Sequence, residues 1–234
     1  MKKLISILLF SLIVGISQAQ NFQLLNGVGS DKGYVNFLTA ELFKPLEHGK
    51  FYGFTDLKIN QNGYFDSYTE LFGYLNISKK GLFITAQVDA GLFTVEGMGV
   101  QILPVYLMGL SHEATFGKWV LSLDALYRID KGTATDSTGT IPIGNGVQLT
   151  ATFLRDTEHF QISGYCDLWQ TVNSEYYNKD RNGVIVQFEP QVWWKFSKRV
   201  FLGIEGRISN FNDPILGLYE YSSYAMIGLK FNLE

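Results

Sequence analysis

The stretch FQISGYCDLWQ, residues 160–170, alternates apolar and polar side chains along its whole length. A period of two places alternate residues on opposite faces of a β-strand. One face would carry Phe160 and Leu168, and the other face, polar and aromatic, would carry Asp167. Which of these faces meets water decides the fold, and the rest of the chain supplies the answer.

The composition of the 234-residue chain differs from that of an ordinary soluble domain. Charged residues make up only 18%, below the roughly 25% usual for soluble domains, while aromatic residues reach 15%. The net charge is −3, and no run of Lys or Arg occurs outside the first few residues. A chain without a basic patch lacks the electrostatic footprint of a nucleic-acid-binding protein, so we expect no nucleic-acid partner.

Residues 1–19 predict a secretory signal peptide. A basic start precedes an apolar run over residues 4–16, and small residues stand before a cleavage point after Ala19. A transmembrane anchor is the alternative, but the run is shorter than the about 20 apolar residues that span a bilayer. We therefore expect export, with residues 20–234 as one mature domain. Cys166 is the single cysteine, which excludes an internal disulfide.

Beyond the signal peptide the chain repeats segments of period two, separated by clusters of Gly, Asn, Asp, Ser and Lys. No convincing amphipathic helix interrupts them, and we predict about twelve strands, an even number. The predicted strands are 21–28, 34–43, 50–59, 65–77, 82–92, 102–112, 118–129, 147–155, 159–172, 184–196, 200–209 and 219–233.

The predicted connections differ in length between the two ends of the strands. The short ones are 44–50, 78–81, 114–118, 155–159 and 196–199. At the other end, 92–101, 130–146, 173–183 and 210–220 are longer, while 27–33 and 60–65 are not clearly so. Short turns at one end and long loops at the other are typical of outer-membrane barrels. The stretch 130–146 is also the best candidate for a linker, but strands of the same character resume after it, which favours a surface loop.

Several predicted strands repeat the two faces of residues 160–170. Leu121 and Leu123 share one face of their strand, and Asp124 takes the other. Val186 opposes Glu189 in the same way. A soluble barrel or sandwich alternates similarly with its apolar face inward, but its outer face should be rich in Lys and Glu. The polar faces here instead carry single acids and amides among Tyr and Trp, which favours a hydrated lumen.

We therefore predict an all-β fold, namely a single closed antiparallel transmembrane β-barrel of about 12 strands. Closure is required because lipid offers no hydrogen-bond partner to an open sheet edge. Lipid of the bacterial outer membrane would contact the apolar face, and water would fill the lumen.

Five motifs support a closer comparison: ELFKP (41–45), YTELFGY (68–74), SGYCDLW (163–169), FEPQVWW (188–194) and LGIEGRISN (202–210). The most distinctive element in them is the proline of Glu-Pro-Gln, since proline removes a ladder hydrogen bond. With these motifs the chain resembles the Tsx-like nucleoside-channel superfamily of Gram-negative outer membranes, and more closely an uncharacterised Bacteroidota branch. The resemblance implies a twelve-stranded barrel with a narrow lumen and, for the named channel, passage of nucleosides.

The inward-facing residues are the candidate site. Acids outnumber bases there by about two to one once Asp89, Lys58 and Lys230 are included, and lumen carboxylates disfavour anions. The candidates for lumen lining and solute binding are Glu41, Asp56, Glu70, Asp124, Arg128, Gln161, Tyr165, Asp167, Trp169, Gln187, Glu189, Gln191, Glu205 and Arg207.

Aromatic residues on the same faces could stack on a base or sugar ring. They are Tyr68, Tyr74, Tyr165, Trp169 and Trp193. Glutamines beside them supply hydrogen bonds, which predicts a small uncharged polar solute such as a nucleoside. The alternative is that the charges pair across the lumen and the aromatic rings fill it, leaving a structural barrel.

Catalysis is disfavoured. His48 and His159 lie in or beside short turns, and His112 follows Ser111 at a strand end without a nucleophile elbow. No metal-ligand motif occurs, so we predict no enzyme, no metal and no cofactor. The predicted function is a porin-type channel for passive solute uptake. The alternative is a closed-lumen, structural or partner-binding barrel that acts through its extracellular loops, and no oligomeric state is predicted.

Overall fold

The computed structural model describes residues 20–29, 33–60, 65–95, 98–135, 139–141, 144–170, 184–210 and 222–233. The predicted signal peptide and the predicted loop 173–183 lie outside the described residues, as does nearly all of the predicted loop 210–220. Among the residues that the structure describes, no helix is long and apolar enough to cross a membrane.

The described residues form fourteen β-strands, and the predicted all-β class is confirmed. The strands are β1 (Asn21–Gly29), β2 (Gly33–Leu46), β3 (Gly49–Asn60), β4 (Phe65–Ser78), β5 (Leu82–Val95), β6 (Met98–Phe116), β7 (Trp119–Asp130), β8 (Thr133–Thr135), β9 (Gly139–Ile141), β10 (Gly144–Asp156), β11 (Phe160–Gln170), β12 (Val184–Lys195), β13 (Val200–Ser209) and β14 (Ser222–Asn232).

Twelve of these strands form one closed antiparallel barrel, as predicted. Strands β1 to β7 pair in chain order, β7 pairs directly with β10, and β10 to β14 complete the ring. The ring closes where β1 lies against β14, with Asn21 opposite Asn232 and Gly29 opposite Tyr224. Each strand of this wall therefore has a hydrogen-bonded neighbour on both sides, which is the condition for spanning lipid.

The predicted surface loop 130–146 contains a short hairpin that the sequence analysis missed. Strands β8 and β9 pair with each other, and β8 also pairs with the beginning of β6, where Val100 lies opposite Thr135. The Gly and Thr content of this stretch favours a loop, but pairing with a long neighbouring strand overrides such weak local preferences.

The prediction of a long connection over residues 92–101 is wrong. Strands β5 and β6 continue through most of it, with Leu92 opposite Gln101, and only residues 96–97 separate them. The glycines of residues 92–101 give this stretch the composition of a loop. Because β8 pairs with the same part of β6, this extension of the sheet has ladder partners on both sides of β6.

The connections at the opposite end are short, as predicted. Two to four residues join β2 to β3, β4 to β5, β6 to β7, β10 to β11 and β12 to β13. Gly81 and Gly117 occupy two of these turns with φ of 76° and 61°, a region that glycine enters without steric cost. We call this end of the barrel the short-turn end and the other the loop end.

The outer face of the barrel is apolar and the inner face is largely polar, as predicted. Leu123 and Ile204 are 55% and 58% exposed on the outside, whereas Asp124, adjacent to Leu123, is 1% exposed. Strand β11, the stretch FQISGYCDLWQ, follows the same rule, because Leu168 is exposed outside and Asp167 faces the lumen. The polar face of that stretch is therefore the inner one.

Candidate functional site: the lumen cavity

A cavity of about 180 Å³ lies in the lumen towards the loop end. Its wall is built from strands around the ring, and includes Ser67 near the beginning of β4, Trp169 near the end of β11 and Tyr224 near the beginning of β14. We call it the lumen cavity. Among the described residues, six carboxylates and three basic side chains line it together with several aromatic rings.

The predicted site residues divide between the lumen cavity and the rest of the inner wall. Those that line the cavity are Asp56, Glu70, Arg128, Tyr165, Asp167, Trp169, Gln187 and Arg207. Outside its lining are Glu41, Asp124, Gln161, Glu189, Gln191 and Glu205. Alternation along a strand indicates which face a residue occupies, but it gives no height along the barrel axis.

Six polar, non-aromatic residues of the cavity lining are absent from the predicted set: Asp66, Ser67, Gln87, Asp130, Thr133 and Gln148. Asp66 shares the inner face of β4 with Glu70, and alternation alone points to it. Asp130 is absent from the predicted set because the predicted strand ends one residue before it, whereas β7 includes it. Gln148 lies on the inner face of β10, whose alternation carries the same signal.

An ion pair and two hydrogen bonds order one side of the lumen. Arg207 Nε donates to Glu189 Oε2, and the Tyr165 hydroxyl donates to the same oxygen at 3.0 Å. Gln187 Nε2 in turn donates to the Tyr165 hydroxyl oxygen at 2.6 Å. Glu189 is 7% exposed, so its charge is balanced inside the barrel by Arg207.

A second arginine lies across the lumen cavity in a similar arrangement. Arg128 donates through Nε and Nη2 to Asp130 Oδ2 at 3.1 and 2.7 Å, and through Nη1 to Gln148 Oε1 at 2.6 Å. Its guanidinium carbon lies 5.2 Å from the centre of the Trp169 ring, within cation–π range. Arg128 is thus held by three different side chains.

The third basic residue of the cavity is also paired. Lys58 Nζ lies 3.5 Å from Asp66 Oδ2. The remaining cavity carboxylates are Asp56, Glu70, Asp89 and Asp167, and none of these four forms an ion pair with a described residue. The lumen cavity therefore has excess negative charge, which disfavours anions.

The lumen is packed with side chains towards the short-turn end. A hydrophobic cluster of Leu25, Phe37, Trp193, Phe201 and Met226, here called the inner plug, fills one side of it. Trp193 is fully buried at 0% exposure, and its Nε1 donates to Gln191 Oε1 at 3.0 Å. Phe37 also lines the lumen cavity, whereas Trp193 and Phe201 lie near the short-turn ends of their strands, so the inner plug extends from the cavity towards the short-turn end.

Polar contacts between non-neighbouring strands also occupy the lumen outside the cavity lining. Lys230 lies 5.6 Å from the centre of the Trp193 ring and donates to Gln161 at 3.0 Å. On the other side the Tyr74 hydroxyl donates to Asp124 at 3.2 Å. Tyr74 and Trp193, proposed from the sequence as stacking residues, therefore lie in the packed part of the lumen.

Gly203 leaves the space that the Trp193 ring occupies. A Cβ atom on Gly203 would stand 2.4 Å from Cε3 of Trp193. We expect Gly203→Ala to lower the free energy of unfolding by about 1–3 kcal/mol, because a packed core resists an added methyl group. Denaturant titration of the folded barrel measures this change.

The control for that substitution lies on the same strand. A Cβ atom on Gly206 would have its nearest neighbour at 3.8 Å, an ordinary contact. Gly206→Ala should therefore change the free energy of unfolding by no more than about 0.5 kcal/mol. Equal effects of the two substitutions would contradict the close packing of Trp193 on Gly203.

A closed ring of twelve antiparallel strands, an apolar outer face and a polar lumen define the class of porin-like transmembrane β-barrels. The family of the domain of unknown function DUF5020 matches residues 19–212, and the chain belongs to that family. No curated protein matches the chain.

Solved porins share the fold. The chain is similar to the NanC porin, with 12% identity and a TM-score of 0.61 over 91% of this chain and 100% of that one. It is also similar to the KdgM porin in complex with disordered oligogalacturonate, with 11% identity and a TM-score of 0.51 over 92% of this chain and 99% of that one. At these identities the likeness is one of fold.

Proposed function

We propose that the protein is an outer-membrane channel for passive uptake of small hydrophilic solutes, exported through a cleaved signal peptide. The observation that carries this proposal is the lumen cavity, a space lined by charged, amide and aromatic side chains inside a closed barrel. A barrel whose lumen served only as packing would not need four carboxylates without an ion-pair partner among the described residues.

The solute proposed on the Tsx-like resemblance is of nucleoside type. Rings of Tyr68, Tyr165 and Trp169 line the lumen cavity, and Gln187 lies beside them. Aromatic faces favour a ring-bearing solute, and the excess carboxylates oppose a phosphate group. A nucleoside should therefore enter more readily than the corresponding nucleotide.

The second candidate function is a closed-lumen barrel that acts through its loops. The inner plug favours it, because a water-filled passage at that height would expose the side chains that line it, whereas Trp193 is fully buried. Transport then requires either a passage beside the inner plug or a rearrangement of the inner plug while a solute passes.

Solute flux into liposomes tests the two functions against each other. Adenosine, a sugar of similar size and a nucleotide are compared for the purified protein, for Trp169→Ala and for Trp194→Ala. Trp194 is 46% exposed on the outer face and is the matched control for Trp169 in the cavity. Adenosine entry that changes in Trp169→Ala alone supports the channel. Absence of flux for every solute, from protein shown to be folded, favours the loop-acting barrel.

The proposed position in lipid can be tested at the outer face. Leu123 lies at the middle of β7 with its side chain outside. We expect Leu123→Arg to lower the free energy of unfolding in lipid vesicles by about 2–4 kcal/mol, the cost of a charged side chain near the bilayer midplane. His48→Arg in an exposed turn is the control, with a change within about 0.5 kcal/mol. A similar small change for Leu123→Arg would show that this face does not meet lipid.

A further inference from the structure

Two carboxylates face each other directly on the wall of the lumen cavity. Glu70 on β4 and Asp89 on β5 are register partners in the antiparallel ladder, and both line the cavity. We call them the carboxylate pair. Like charges directly opposite each other across a ladder are destabilising. The sheet therefore maintains an unfavourable contact at the cavity wall.

The surrounding side chains only partly compensate this charge. Gln87 Nε2 donates to Asp89 Oδ1 at 2.8 Å and to Glu70 Oε2 at 3.3 Å. Asp89 is 2% exposed, and its Oδ2 accepts no hydrogen bond from any residue that the structure describes. Buried carboxylates normally require a cationic partner.

No basic side chain of the described residues forms a direct ion pair with the carboxylate pair. Arg128 is held by Asp130 and by Gln148, and it forms no ion pair with the carboxylate pair. A metal ion fits poorly, because Gln87 presents its NH₂ group to the pair and leaves only two carboxylates as ligands. No group of acidic, His and Cys side chains suited to a metal ion occurs in the described part of the chain.

We propose that the carboxylate pair binds the ammonium group of a small ring-bearing amine, of which amino sugars are the simplest class. An ammonium group offers three donors, enough to reach Asp89 Oδ2 and Glu70 together. Tyr68 and Tyr165 line the same cavity and provide aromatic faces for the ring. The cavity, at about 180 Å³, is below the roughly 300–1,000 Å³ of sites for drug-sized ligands, so it suits a single ring.

This inference rests on the proposed channel function, and it assigns a positively charged solute in place of the uncharged nucleoside. The test measures binding separately from transport. Titration calorimetry of the folded barrel in detergent at neutral pH compares glucosamine, whose amine is largely protonated there, with glucose and N-acetylglucosamine, which have similar rings and no charge. We expect glucosamine to bind roughly tenfold more tightly than either neutral sugar, as for a hydrogen bond to a charged group.

Isosteric substitutions test whether the carboxylate pair causes the preference for glucosamine. Glu70→Gln and Asp89→Asn should each abolish the preference for glucosamine while the neutral sugars bind as before. Glu205→Gln is the matched control, since Glu205 is a buried lumen carboxylate outside the cavity lining, and it should keep the preference. Equal loss in the control would mean a diffuse charge effect and would overturn the inference.

The wild-type protein alone also decides the question if a variant fails to fold. Equal affinity for glucosamine and N-acetylglucosamine overturns the inference whatever the variants do. Liposome flux of the same sugars separates the two proposals. Preferential glucosamine binding without any flux would sustain the binding site and contradict the channel, whereas flux without preference would sustain the channel and contradict the carboxylate pair as a cation site.

Discussion

Trp193→Ala is expected to raise the conductance of the barrel in planar bilayers several-fold. Trp193 is the largest fully buried side chain of the inner plug, and it lies against Gly203 on one side and below Lys230 on the other. Its removal leaves a space bordered by the apolar side chains of the inner plug and by two polar groups, Gln191 and Lys230. These two polar groups allow water to enter the space, and water that continues past the inner plug conducts ions.

The substitution also has a cost in stability, about 3–5 kcal/mol for a buried tryptophan, so conductance must be measured on protein that still migrates as a folded barrel on an unheated gel. Trp194→Ala, on the outer face of the same strand, is the control and should leave conductance unchanged. If folded Trp193→Ala conducts like the wild type, Trp193 is not the barrier to ion passage.

Arg207→Met is expected to lower the free energy of unfolding by about 3–5 kcal/mol, because it leaves the buried Glu189 without its partner. The double variant with Glu189→Gln should recover much of that loss, since neutral residues can replace a buried ion pair at little cost. Denaturant titration in detergent measures both variants and so isolates the uncompensated charge of Glu189.

Lys195→Met is the matched control for Arg207→Met. Lys195 pairs with Asp156, whose side chain is 54% exposed, and an ion pair in water contributes about 0–1 kcal/mol. If Lys195→Met and Arg207→Met lower the free energy of unfolding by similar amounts, the assignment of Glu189 as a buried charge is contradicted. Absence of recovery in the double variant would mean that Arg207 contributes through packing.

The sequence allowed the face of each strand residue to be predicted but not its height in the barrel. Period two is sufficient to place Asp167 inside and Leu168 outside, because it reports only the direction of the side chain. Height depends on the stagger between strands, a property of the closed ring. For this reason Trp169 and Trp193 were predicted as equivalent stacking residues, whereas one lines the lumen cavity and the other belongs to the inner plug.

Local composition predicted loops in two stretches that the structure shows to contain paired strands. Residues 92–101 and 130–146 are rich in Gly or Thr and look like loops, yet both contain strands that meet along the beginning of β6. The sequence of one segment does not indicate which distant segment it pairs with. The partners of the ion pairs were equally hidden, because the contact between Arg207 and Glu189 depends on which strands become neighbours.

We expect the closure of the ring to be the last step when the chain folds. The other pairings of the wall join strands that are consecutive in the chain or, for β7 and β10, separated only by the short β8–β9 hairpin. The pairing of β1 with β14 instead joins the first and the last strand. That last pairing carries the largest loop-closure entropy, and in lipid an unfinished ring would leave two rows of peptide groups unsatisfied. Insertion should therefore be all-or-none, and a nascent chain should have no stable place in the membrane until its last strand has been made.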